Sequence, residues 1–176
     1  LMNKKDNLLI VVDMQNDFID GALANQEAKE TIPYIMDQIA KCDKVIFTKD
    51  THYENYFDTQ EGKKLPIKHC LRDSHGWEIT SELMEAAVKN DKPFSVLIKE
   101  TFGYTDWVSN TDLSEYENIT LVGTCTDICV VSNALIIKAF YPEKNVIVIS
   151  KCCSGTTVEN HNHALKVMSS CQIDVK

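Results

Sequence analysis

The chain alternates between short unbroken apolar runs and longer stretches in which apolar residues return every three or four positions. The runs occupy residues 8–12, 45–47, 95–98, 119–122 and 146–149, and residues 171–175 supply a shorter sixth candidate. Each is long enough for a strand and too short for a helix, and β-branched residues are frequent in all five main runs. An unbroken run, unlike an alternating one, marks a strand covered on both faces, as in parallel sheets. Between the runs, residues 28–41 set Ile32, Ile35, Met36 and Ile39 on one helical face, and 81–88 do the same with Leu83, Met84 and Ala87, with Ser81 as a cap. Residues 127–140 are apolar almost all the way round, which predicts an internal helix, and 159–169 form the last one. Strand and helix therefore alternate. The expected fold is α/β: a three-layer sandwich with a six-stranded, mostly parallel sheet flanked by helices through right-handed crossovers. No repeat, low-complexity tract or linker interrupts the pattern, so residues 1–176 are expected to form a single domain.

In such sheets ligands sit beyond the carboxyl ends of the strands, so chemistry is sought there. The first run hands over to Asp13, Met14, Gln15, Asn16, Asp17 and Phe18, the second leads to Asp50 and His52, and the third to Lys99. The fourth leads to Gly123, Thr124, Cys125, Thr126, Asp127, Ile128 and Cys129. One ionisable residue at a strand end is ordinarily the chain's return to water, but four on one sheet edge suggest a site. Cys129 falls in the first turn of the apolar helix, where the helix dipole and Lys99 are both expected to favour the thiolate. Asp13 is placed to exchange the thiol proton, and backbone N–H groups of the turn to receive an oxyanion. The plain alternative for Cys129 is a buried structural thiol.

Composition narrows the partners. Eighteen basic against 26 acidic residues leave a net charge of −8, which argues against a broad nucleic-acid footprint. No apolar run approaches the ~20 residues of a membrane span, and the opening residues hold no signal-peptide core, so no membrane partner and a cytoplasmic location are expected. Seven cysteines, an odd number at irregular spacing, read as reduced thiols and not as a disulfide framework. Cys125 and Cys129 are spaced unlike a usual redox pair.

The set Asp13-x-Gln15-x-Asp17-Phe18, Asp50-x-His52, His69-Cys70, Lys99 and Gly123-x-x-Thr126-Asp127-x-Cys129-Val130 resembles the isochorismatase-like cysteine hydrolases. That superfamily includes nicotinamidases and N-carbamoylsarcosine amidases, and the resemblance runs from Leu8 to about Val175. It implies a six-stranded parallel sheet, a triad of Asp13, Lys99 and Cys129, and a non-proline cis peptide at Thr124–Cys125. The cis peptide would aim the N–H of Cys125, with that of Cys129, at the substrate oxygen. The resemblance also implies a pocket lined by Phe18 and Phe102, with Tyr104 and Trp107 as less certain neighbours. True isochorismatases act on a vinyl ether and typically lack the cysteine, so Cys129 points to hydrolysis of a small amide through a thioester. Other readings are a carbamoyl or ureido C–N hydrolase, or a non-catalytic small-molecule binder. The implied partners are a small-molecule amide and further copies of the chain in a homo-oligomer.

The stretch from Asp50 to Trp77 is rich in Gly, Pro, His and charge, the mark of a site-forming loop. Asp50, His52 and His69 are metal-ligand types. By resemblance to nicotinamidases they imply a divalent metal, zinc first, and no organic cofactor. The usual third histidine is missing; Glu61 is the preferred substitute and Glu54 the other candidate. Asp50 and His52 merely bonding the loop is the competing reading. His161 and His163 read as a solvated helix start, and Cys152 and Cys153 as buried at the end of the fifth strand.

Overall fold

The computed structural model describes residues 5–176. Six strands, β1 (Lys5–Val12), β2 (Lys44–Asp50), β3 (Phe94–Lys99), β4 (Tyr116–Thr124), β5 (Asn145–Ser154) and β6 (Asp174–Val175), form one sheet in the order β3-β2-β1-β4-β5-β6. Every pairing is parallel. The helices are α1 (Asn16–Ile19), α2 (Gln26–Lys41), α3 (Gln60–Lys64), α4 (Ser81–Lys89), α5 (Val131–Phe140) and α6 (Val158–Ser170).

The alternation of β1 shows how the layers arise. Leu9 and Val11 pack with Ile32, Ile35 and Ile39 of α2 and Leu83 and Ala87 of α4. Leu8, Ile10 and Val12 point the other way, against Ala134 and Ile137 of α5 and Ala164 and Met168 of α6. Each such side chain, fully buried, contributes about 1.5–3 kcal/mol relative to exposure. The three-layer sandwich predicted from the unbroken runs is the one observed.

Local departures have physical causes. β3 lies at the sheet edge, so Phe94, Val96 and Ile98 stay 39–40% exposed, although their unbroken run reads as a doubly covered strand. The second helix begins at Gln26, earlier than its apolar face suggests, because Asn25 accepts the N–H groups of Glu27 and Ala28. Ser81 is the first residue of α4 and not its cap; that position is Thr80, whose hydroxyl donates to Glu82. Residues 126–130 form a wide π-type turn ahead of α5, where an uninterrupted helix from 127 is predicted. At Gly123 the β4–β5 register shifts and φ is +118°; a Cβ there would overlap the carbonyl oxygen of Val12. Only glycine lets β4 pass this close to β1.

The register brings the four chemical strand ends side by side. Val12 is level with Thr48 and Gly123, and Asp50 with Lys99.

Candidate active site

Asp13 leaves β1 with φ +51°, a turn that points its carboxylate across the sheet edge. Thr48 on β2 anchors it: the Thr48 hydroxyl donates to Oδ1 at 2.7 Å, and the Asp13 N–H donates back to Thr48 Oγ1 at 3.1 Å. The other oxygen, Oδ2, faces Lys99 Nζ at 2.6 Å with both side chains fully buried. The ammonium also donates to Thr101 O at 3.1 Å and to Cys129 Sγ at 3.5 Å, so a carboxylate, a carbonyl and a sulfur surround it. Asp13, Lys99 and Cys129, three residues far apart in the chain, are thus brought together.

Electrostatics correct one expectation. Burial and the Asp13 carboxylate together push the Cys129 thiol well above the ordinary range, and Lys99 only partly offsets them. Burial and the facing carboxylate thus work against the thiolate that the helix start and Lys99 were expected to favour. Burial also raises the Asp13 carboxyl against the opposing pull of Lys99, which makes it a better proton acceptor than a surface aspartate. Burial works against charge on Lys99 too, yet the Asp13 and Asp50 carboxylates outweigh it and keep the ammonium protonated.

Cys129 opens into a cavity of about 870 Å³ that is also lined by Phe18, Phe102, Ile128, Thr124 and Cys125. The peptide between Thr124 and Cys125 is cis, as expected. Its flank is held by β5: the Ser154 hydroxyl donates to Thr124 Oγ1 at 3.0 Å, and Thr124 donates to Ser154 O at 3.2 Å. Phe18 and Phe102 line the cavity as the resemblance implied, whereas Tyr104 and Trp107 lie buried behind it, packed edge to face at 5.1 Å.

The same cavity exposes Asp50, Glu61 and His69. With His52 they form a cluster whose ligand atoms all lie within 4.8 Å of one another. Asp50 Oδ2 is 3.0 Å from His52 Nε2 and 3.5 Å from His69 Nε2, and Glu61 Oε1 is 3.5 and 3.7 Å from the same nitrogens. His69 Nδ1 lies 2.8 Å from the carbonyl of Ile67, which can only accept, so the ring donates there through Nδ1 and offers Nε2 to the cluster. Two imidazoles and two carboxylates around one point fit a divalent ion such as zinc. Glu61 is placed by α3, capped by the Thr59 hydroxyl, whereas Glu54 is drawn off to Lys68 at 2.8 Å on the surface. Burial opposes charge on Asp50, but His52 and His69 outweigh it and hold its carboxyl far below the usual range.

Gln15 and Asp17 belong to the first motif, but residue type alone does not give their roles. Gln15 is fully buried and receives the Asp50 N–H at 2.8 Å while donating to Asp50 O at 2.8 Å and Trp77 O at 2.9 Å. Asp17 accepts the N–H of Cys70 at 2.7 Å, beside His69, where Cys70 has φ +46°. His161 is not the solvated residue expected: its Nδ1 meets Thr126 Oγ1 at 2.7 Å and its Nε2 meets Ser150 Oγ at 3.3 Å, tying α6 to the cysteine turn. His163 is exposed, as expected, and Cys152 and Cys153 are buried.

A profile of the isochorismatase domain matches residues 7–175. The chain belongs to the isochorismatase family. Among family relatives, the nicotinamidase of Schizosaccharomyces pombe is 26% identical over 203 residues, covering 95% of this chain and 91% of that protein. Among solved structures, the pyrazinamidase/nicotinamidase of Streptococcus mutans superposes with a TM-score of 0.79 at 26% identity, over 97% of this chain and 100% of that one. The pyrazinamidase of Pyrococcus horikoshii in complex with zinc gives a TM-score of 0.76 at 26% identity, over 97% and 98%.

Proposed function

We propose that this isochorismatase-family chain is a nicotinamidase-like amidohydrolase. The observation that carries the reading is the opening of Cys129, held against Lys99 and Asp13, into one cavity with a two-histidine, two-carboxylate cluster. As an amide docks, Asp13 takes the thiol proton and the sulfur attacks the carbonyl carbon. The N–H groups of Cys125 and Cys129 receive the developing oxyanion. Asp13 returns the proton to the departing ammonia, leaving a thioester, and then activates the water that hydrolyses it. Lys99 stays charged throughout and balances negative charge as it moves between Asp13 and sulfur. Asp50, His52, Glu61 and His69 would hold a divalent ion, which supplies a Lewis-acidic point for a ring nitrogen. Phe18 and Phe102 flank the ring. The same reading places the enzyme in the cytoplasm as a homo-oligomer without nucleic-acid or membrane partners. Among the described residues, no helix is long and apolar enough to cross a membrane.

The test is ammonia release from nicotinamide beside a panel of carbamoyl, ureido and aliphatic amides. Nicotinamide turnover that disappears in Cys129→Ala supports the reading. Turnover that survives this substitution removes Cys129 as nucleophile, and turnover confined to ureido or carbamoyl compounds moves the enzyme to the other C–N branch of the family.

A further inference from the structure

Asn133 sits on α5, four residues after Cys129, and is completely buried. A buried amide has two donors and an acceptor to satisfy, and this one satisfies all of them across two chain segments. Its Oδ1 accepts the backbone N–H of Tyr104 at 2.8 Å and the indole N–H of Trp107 at 3.0 Å. Its Nδ2 donates to Cys129 O at 2.8 Å and to Phe102 O at 3.2 Å. The segment joined in this way has no regular structure of its own between Thr101 and Trp107. Its first residue offers Lys99 a carbonyl, and its second is Phe102. Gly103 lies so close to α5 that a Cβ would run into Ile136, so the segment is pressed onto the helix as well as bonded to it.

Phe102 itself is 45% exposed. Packing therefore does not hold its ring at the cavity; the backbone beneath it does, and that backbone is anchored by Asn133. The neighbouring anchors act on the same segment: the Thr101 hydroxyl donates to Gly103 O at 2.6 Å, which shapes the bend without fixing it to the helix.

We propose that Asn133 is a specificity-positioning residue, whose amide locks the 101–107 segment to the Cys129 carbonyl and thereby sets Phe102 at the height that accepts a flat aromatic amide. This rests on the nicotinamidase-like reading for the identity of the substrate, and on geometry alone for the clamp. Asn133 touches neither the substrate nor the reacting atoms; it acts through Phe102.

Asn133→Thr separates the clamp from the helix. A threonine hydroxyl in a helix bonds the carbonyl four residues back, so the bond to Cys129 O is kept while the three bonds to the 102–107 segment are lost. For nicotinamide, KM is expected to rise by about tenfold or more, while kcat and the rate of Cys129 alkylation by iodoacetamide stay within about threefold of the parent. The double variant with Phe102→Ala is expected to match Phe102→Ala alone, since Phe102 is the residue of the clamped segment through which the clamp reaches the substrate. An unchanged KM, a fall in kcat and alkylation together, or KM effects that multiply in the double variant would overturn the proposal. Should Asn133→Thr not fold, Asn133→Ser carries the same expectations and the same refutations. A parent enzyme that leaves nicotinamide untouched refutes the functional reading alone. The clamp is then read from hydrogen exchange, where the Tyr104 amide of the variant should exchange at least tenfold faster with alkylation unchanged, and unaltered protection overturns it.

Discussion

Replacing Asp13 by Asn preserves the side-chain shape and the bond from the Thr48 hydroxyl, and removes the charge that faces Lys99 at 2.6 Å. Two consequences of opposite sign follow. Turnover loses its proton acceptor, a role worth typically 10²–10⁴-fold in rate, so kcat for amide hydrolysis should fall within about that range. The thiol, however, loses the carboxylate that raises it and keeps the ammonium that lowers it. Oδ2 lies 2.6 Å from Nζ and Nζ 3.5 Å from sulfur, which puts the carboxylate within about 6 Å of Sγ; at an effective dielectric constant of about 20 its loss removes at least roughly 2.7 kcal/mol of repulsion on the thiolate. Even half of that favours the thiolate about tenfold. Iodoacetamide should therefore alkylate Cys129 of Asp13→Asn at least about tenfold faster than the parent at pH 7, followed by mass spectrometry of the peptide containing Cys129. Breaking a buried ion pair from one side also destabilises by about 3–5 kcal/mol, so both assays are run well below the lowered melting temperature. A variant that turns over amide within tenfold of the parent, or that is alkylated more slowly, refutes the assignment of Asp13 as base and of Lys99 as the cation that supports sulfur.

The raised Asp13 carboxyl sets a pH dependence: kcat/KM should climb with pH as the base form fills, with a midpoint above the ordinary 3.8, and an acid limb at or below that value contradicts the burial argument. The stability sign is the reverse, since the folded state retains this proton after the unfolded chain has released it, so the Asp13 contribution declines as pH rises through that interval. Dialysis against a chelator should abolish most nicotinamide turnover and zinc should restore it; Glu61→Ala should weaken zinc binding by at least about tenfold in calorimetric titration, and unchanged affinity removes Glu61 from the cluster. Gln15→Leu strips three hydrogen bonds from buried backbone at Asp50 and Trp77, at about 1–3 kcal/mol for each group left unpaired, and should show as a lower urea midpoint with weaker zinc binding. A stability equal to that of the parent would mean that water or backbone movement replaces them.

The layers were legible because burial on both faces leaves an unbroken apolar run, and the candidate site because four of the runs lead to polar or ionisable residues at the same edge. Glu61, preferred to Glu54 in the sequence, does stand in one cluster with Asp50, His52 and His69. Other features are relations between distant segments. Strand order depends on crossovers, so nothing within residues 95–98 reveals that β3 is an edge. Asn133 looks like a polar interruption in an apolar helix until its four partners are in place. His161 sits among polar neighbours at a helix start, where solvent is the natural assumption, and only the fold brings Thr126 to it. The sign of the Cys129 shift required burial and a facing carboxylate, neither of which spacing encodes.

The position of β3 bears on how this protein should fail. Lys99, which faces both Asp13 and Cys129, closes a strand that is paired on one side only, by β2, and whose outer side chains are partly wet. Sheet margins open at lower free energy than the middle, so fraying at this rim withdraws the ammonium while β1, β4 and β5 remain intact. Catalysis is then the first property lost on warming: inactivation should precede melting by several degrees, and should reverse on cooling as the strand zips back onto its neighbour.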